Sequence, residues 1–95
     1  MLIIPKKFSD HAVDRMVQAY KGAPRVAGII SLISKLASEN KVELGSEGEV
    51  YVVAPGEGVF VIKGDTVVTF IHKSRIGEFG ECQRAYARFN DKKVA

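Results

Sequence analysis

Cysteine and histidine are scarce in this chain, and long apolar runs are missing. Cys82 stands alone, so an intramolecular disulfide framework and any multi-cysteine metal site are excluded. No apolar run approaches the ~20 residues that a membrane helix needs. The apolar opening Met1–Ile4 is too short for a signal peptide and has the wrong order, because Lys6 and Lys7 follow it. The expectation is a cytoplasmic protein with no membrane segment. Asp10 and Asp14, one helical turn apart, are too few to argue for a cation site and better suit a helix N-terminus, so no metal and no cofactor are expected. Neither an internal repeat nor a low-complexity segment is present. Two glycines occur in Pro55–Gly58, but no Lys-Ser/Thr follows, so this is a turn and not a phosphate loop.

What the chain does have is a dense β-rich stretch, Glu49–His72, around which the rest is organised. Val50–Ala54, Val59–Lys63 and Thr66–Ile71 are rich in Val, Ile, Phe, Tyr and Thr, which suit a pleated surface. Pro55-Gly56-Glu57-Gly58 and Gly64-Asp65 separate them with turn chemistry, the second favouring a two-residue antiparallel hairpin. The middle run is almost wholly apolar, which predicts burial on both faces with helices on at least one. Strict alternation in the last run puts Val67, Thr69 and Ile71 on one face and Thr66, Val68 and Phe70 on the other.

Upstream, Leu2–Lys7 reads as an edge strand or one that stops at Pro5. Ser9 is placed to cap a helix, with Phe8 and Val13 at staple positions. That helix runs to about Lys21, with Val13, Met16, Val17 and Tyr20 as its apolar stripe and His11, Arg15 and Gln18 on the opposite side. A second helix runs from Pro24 to about Asn40 with a wide face of Val26, Ile29, Ile30, Ile33, Leu36 and Ala37. Val42–Leu44 is a short extended piece. After the strands, Gly77 and Gly80 weaken helix until about Glu81, and Phe79, Cys82, Tyr86 and Phe89 then follow helical spacing. Glu78 and Glu81 read as surface charges, and Cys82 as a small core residue. The expected fold is α+β, in the order β-α-α-β-β-β: two helices packed as one layer on a small antiparallel sheet, then a short C-terminal helix. Residues 1–90 form one domain and 91–95 a basic tail.

The net charge of +3 is compatible with nucleic acid or an acidic partner. His72-Lys73-Ser74-Arg75 forms a basic corner at the end of the last strand, and His11 precedes Arg15 by one turn. An imidazole beside fixed cations suits phosphodiesters: histidine moves protons near neutral pH, and arginine or lysine holds the phosphate. Each of these groups also fits an ordinary solvated surface position. A threonine placed like Thr69, mid-strand among large apolar residues, is more often simply a strand former with a satisfied hydroxyl.

The element order resembles the RelE/ParE-like toxin fold of the barnase/EndoU/colicin/RelE ribonuclease group. Phe8-Ser9-Asp10-His11-Ala12-Val13-Asp14-Arg15-Met16 is similar to the F-S-x-H-A-x-x-R-M opening of small RelE-like domains, and Asp65–Ile71 is similar to their final strand, where Thr or Ser commonly stands. The resemblance implies His11, Arg15 and Thr69 as catalytic residues of a metal-free ribonuclease. Gln18–Gly22 stands where those domains often carry a second Arg and a Gly-Ile pair. His72, Lys73 and Arg75, with Arg84 and Arg88 of the last helix, are expected to contact RNA. The implied partners are RNA or the ribosome, and an antitoxin or a host protein. The competing expectations are a non-enzymatic phage- or plasmid-type module that docks on a host protein, and a homodimer paired through the Leu2–Ile4 edge.

Overall fold

The computed structural model describes residues 5–20 and 26–89. The expectations for Leu2–Ile4, Lys21–Pro24, Lys92 and Lys93 lie outside those residues. The elements are β1 (Lys7–Phe8), α1 (Asp10–Tyr20), α2 (Val26–Ser38), β2 (Val42–Leu44), β3 (Val50–Ala54), β4 (Gly58–Lys63), β5 (Thr66–His72), a 3-10 helix (Lys73–Glu78) and α3 (Gly80–Phe89). The fold is α+β, as expected, around one five-stranded sheet in the order β1-β5-β4-β3-β2.

The β2–β5 meander is antiparallel throughout, and β1 joins the edge of β5 in parallel. The first described strand, which follows Pro5, is an edge strand, and the sheet is mixed. Gly64 (φ 62°) closes the β4–β5 hairpin with positive φ at the first turn position only, as a type II′ turn requires. At Gly58 the backbone of β4 passes so close to β5 that a Cβ would collide with the Ile71 carbonyl and the Phe70 ring.

The start of α1 and the end of α2 are built by local chemistry. Ser9 caps α1: its Oγ accepts from the Ala12 N–H at 3.0 Å and donates to the Val68 carbonyl at 2.8 Å, fastening the helix start to β5. α2 stops at Asn40 (φ 65°), where Asn40 N–H donates to the Ala37 carbonyl and Lys41 N–H to the Leu36 carbonyl. This is the paired bonding of a Schellman end, with asparagine in the left-handed position.

The face of α1 that packs on the sheet includes Ala12, Met16 and Ala19, whereas Val17 of the expected stripe is 37% exposed. Two alanines on the contact line let the helix approach β5 closely, and this outweighs the greater hydrophobicity of valine. α2 presents Ile33, Leu36 and Ala37 to the core as its pattern predicts.

The sheet has two buried faces. On the front, α1 and α2 cover Val50, Val52, Phe60, Ile62, Val67 and Phe70. On the back, the 3-10 helix and α3 bring Ile76, Cys82 and Ala85 against Tyr51, Val53, Val59, Val61 and Ile71. The expected two layers are therefore three. This accounts for β4, whose Val59–Ile62 side chains have apolar partners on alternating sides; a phenylalanine as fully enclosed as Phe60 contributes about 1.5–3 kcal/mol.

The alternation expected along β5 is broken. Thr69 pairs with Val61 but Val67 pairs with Ile62, which leaves Val68 as an extra residue in a β-bulge. Val67 and Phe70 consequently both face the front, while Val68 packs against the back. The bulge also aims the Val68 carbonyl at Ser9.

Candidate functional site

A cleft of about 370 Å³ opens where α1, the end of β5 and the 3-10 helix meet. Arg15, Gln18 and Ala19 come from α1, Phe70 and His72 from β5, and Ser74 and Arg75 from the 3-10 helix. The floor is rigid. Phe70 is 2% exposed and leans on Phe60, their ring centres 4.8 Å apart. The walls are cationic and polar.

Local structure orients each wall residue. Arg15 follows from the helix phase set by Ala12, Met16 and Ala19: it is half-buried beside Met16 and leans toward β5, with Nη1 at 3.3 Å from Gln18 Oε1. That partner is neutral and does not offset the charge of the guanidinium. Arg75 sits over the Phe79 ring at 5.9 Å, and its Nη2 lies 3.3 Å from Glu78 Oε1. An exposed pair of this kind is worth little and leaves the arginine available to a stronger anion. His72 ends β5 in extended backbone and caps the 3-10 helix. Its Nδ1 accepts from the Ser74 N–H at 3.2 Å and lies 2.9 Å from Ser74 Oγ.

Among the described residues no carboxylate lines this cleft, so two permanent charges and an imidazole face the same space. The arrangement can bind an anion by forked and single N–H donors. Among the described residues no group of three or more His, Cys, Asp or Glu is arranged to hold a metal ion, and no helix is long and apolar enough to cross a membrane.

The fold brings only some of the expected site residues together. Arg15, His72 and Arg75 line the cleft. His11 is exposed on the same flank of α1, one turn nearer its start, and does not line it. Thr69 stands opposite Val61 on the back face, separated from α1 by the sheet. Lys73 is exposed next to the cleft; its N–H donates to the Glu57 carbonyl at 2.9 Å. Arg84 and Arg88 belong to α3 in the back layer, where Arg88 pairs with Glu43 at 3.1 Å. Ser74 was legible as part of the basic corner but not as the partner of His72. A His-x-Ser sequence leaving a strand is the signal that would have found it.

A second polar cluster lies behind the sheet. Tyr51 hydroxyl is 2.7 Å from Glu49 Oε2 and 2.9 Å from Glu81 Oε1. Glu49 also accepts from the Glu47 N–H, and Glu81 from the Ser46 N–H. Glu81, expected as a surface charge, is thus half-buried and ties α3 to the 45–49 turn. Burial and the two carboxylates push the Tyr51 phenol well above its ordinary value. Tyr51 and the backbone N–H groups hold both carboxyls below the usual glutamate range.

Comparison with protein-family models, with curated proteins and with solved structures found no match to this chain.

Proposed function

We propose that the protein binds RNA through the phosphodiester backbone at the Arg15–His72–Arg75 cleft, as a small cytoplasmic toxin-like factor. One observation supports this above the others. Three separate elements bring Arg15, His72 and Arg75 to the lining of one cleft, which no carboxylate among the described residues lines and whose floor is the apolar Phe70. Phosphate oxygens match that donor set, and an aromatic or aliphatic floor accepts part of a nucleotide.

Binding is favoured over cleavage by the state of the histidines. Metal-free RNA cleavage needs a base for the 2′-hydroxyl. His11 is outside the cleft, and His72 already uses Nδ1 as an acceptor toward Ser74. A ribonuclease remains the second reading, because Arg15 belongs to the Phe8–Met16 stretch that resembles RelE-like domains.

The test is fluorescence anisotropy of a labelled mixed-sequence RNA across a salt series. Each neutralised phosphate of a single strand contributes about 0.7 to the log–log salt slope. Arg15→Ala and Arg75→Ala should each weaken binding and flatten the slope by about that amount. Arg84→Ala should leave both unchanged. No binding by the wild type, with capture of an acidic protein through the same arginines, would favour the host-protein module instead.

A further inference from the structure

The bond between His72 and Ser74 determines more than the start of the 3-10 helix. A backbone N–H can only donate. The Ser74 N–H at 3.2 Å from His72 Nδ1 therefore requires that nitrogen to be the bare, accepting one, and the Ser74 hydroxyl at 2.9 Å adds a second donor to the same atom. In the neutral ring the proton must then sit on Nε2. Nε2 is the nitrogen that the cap does not use, and His72 lines the same cleft as Arg15 and Arg75.

We propose that Ser74 is a positioning residue that holds His72 in its Nε2–H form, making the imidazole a fixed third hydrogen-bond donor to a phosphate oxygen in the cleft. This rests on reading the cleft as a phosphate site. It goes further by assigning His72 a ligand-donor role and by excluding the neutral ring as a base at Nε2. It also sets the ligand class. Three donors from three elements suit a tetrahedral anion with several acceptor oxygens, whereas a carboxylate is satisfied by one arginine fork. An asparagine at position 72 supplies the same capping acceptor through Oδ1, while its amide N–H groups end short of the position that Nε2 occupies.

That difference is the test. Long-range 1H–15N spectra at about pH 8, above the ordinary histidine range, read the ring state directly. The wild type should show Nε2–H at His72, and added inorganic phosphate should shift it. Ser74→Ala removes the hydroxyl but keeps the backbone donor, so the Nε2–H form should persist in that variant. His72→Asn should keep the thermal midpoint yet bind a labelled oligouridylate about ten-fold more weakly, the scale of one hydrogen bond to a charged group. An Nδ1–H ring in the wild type overturns the donor assignment even where the oligouridylate binds, and the RNA reading then stands without it. Wild-type affinity in His72→Asn overturns it as well. An Nε2–H ring that responds to neither phosphate nor oligouridylate removes the RNA reading and, with it, the ligand that His72 would serve.

Discussion

Tyr51 and Glu81 are joined hydroxyl to carboxylate at 2.9 Å, across the boundary between the sheet and the last helix. The same phenol reaches Glu49 at 2.7 Å, and one proton cannot be given to both carboxylates at once. The shorter contact and the deeper residue, Glu49, take it for the greater share, while Glu81 rests also on the Ser46 N–H. Tyr51→Phe removes the shared donor and leaves the Glu49 carboxylate with backbone donors, the Glu47 and Glu49 N–H groups. The expected loss is about 1–3 kcal/mol of unfolding free energy, measured by urea denaturation.

The same cluster gives stability a pH dependence at both ends. Glu49 and Glu81 are held below the ordinary glutamate value of 4.5, first by Tyr51 and then by backbone N–H groups. A lowered carboxyl contributes stability that is present above 4.5 and is lost as pH falls through the folded value. Tyr51 and Cys82 are raised, so their contribution is complete below their ordinary values and is lost as pH rises. For the Cys82 thiol, pushed up chiefly by burial, the window runs from 9 to about 11. Urea midpoints across pH should fall on both sides, and the acid limb should be shallower in Tyr51→Phe.

Cys82 is enclosed at the back of the sheet, and its raised thiol leaves little thiolate near neutrality. Iodoacetamide at pH 7.5 should leave the native protein unmodified and alkylate it fully in denaturant. Mass spectrometry over time distinguishes the two; rapid native labelling would mean that α3 opens freely.

Gly58→Ala should be destabilising by about 1–3 kcal/mol, because the added methyl would meet the Ile71 carbonyl and the Phe70 ring with no room to move either. Phe70 floors the cleft, so this variant should also weaken RNA binding. Thermal melts and anisotropy together would show whether the two effects move in step.

If the second reading is correct, purified protein should cut RNA in EDTA with a cyclic-phosphate or 3′-phosphate end, and Arg15→Ala should abolish it. Thr69→Val should leave any such activity unchanged, since Thr69 stands opposite Val61 on the back face of the sheet. Gel analysis of end-labelled RNA settles this. Loss of cutting in His11→Ala at an unchanged thermal midpoint would place the chemistry outside the Arg15–His72 space.

Much of this was legible in the residues. The dense Val/Ile/Phe runs with Gly-bearing turns located β3, β4 and β5 within a residue at either end, because their periodicity and punctuation agree. Ser9 and Asn40 marked their helix boundaries through side-chain chemistry that acts locally. The apolar β4 announced burial on two faces, although a second covering layer needed α3 to be placed. Less visible was anything set by a long-range contact. The Val68 bulge has no sequence marker, and it undid the face assignment of Val67 and Phe70. The close approach of α1 selected Ala12 and Ala19 over bulkier neighbours. Arg15, His72 and Arg75 were each named as candidates, but their convergence depends on where the 3-10 helix leaves β5. His11 and Thr69 were drawn in by resemblance, and no contact across the fold unites them with Arg15.

The bond from Ser9 to Val68 spans 59 residues and fastens the first described helix to the last strand. During synthesis α1 leaves the ribosome well before the strand that buries Ala12 and Met16 has been made. Through that interval its apolar side has only water, α2 or a chaperone to rest against. The cleft, with Arg15 on one wall and His72 on the other, cannot exist until the chain has emerged past Arg75. A truncated product ending before β5 would therefore carry Arg15 without the cleft.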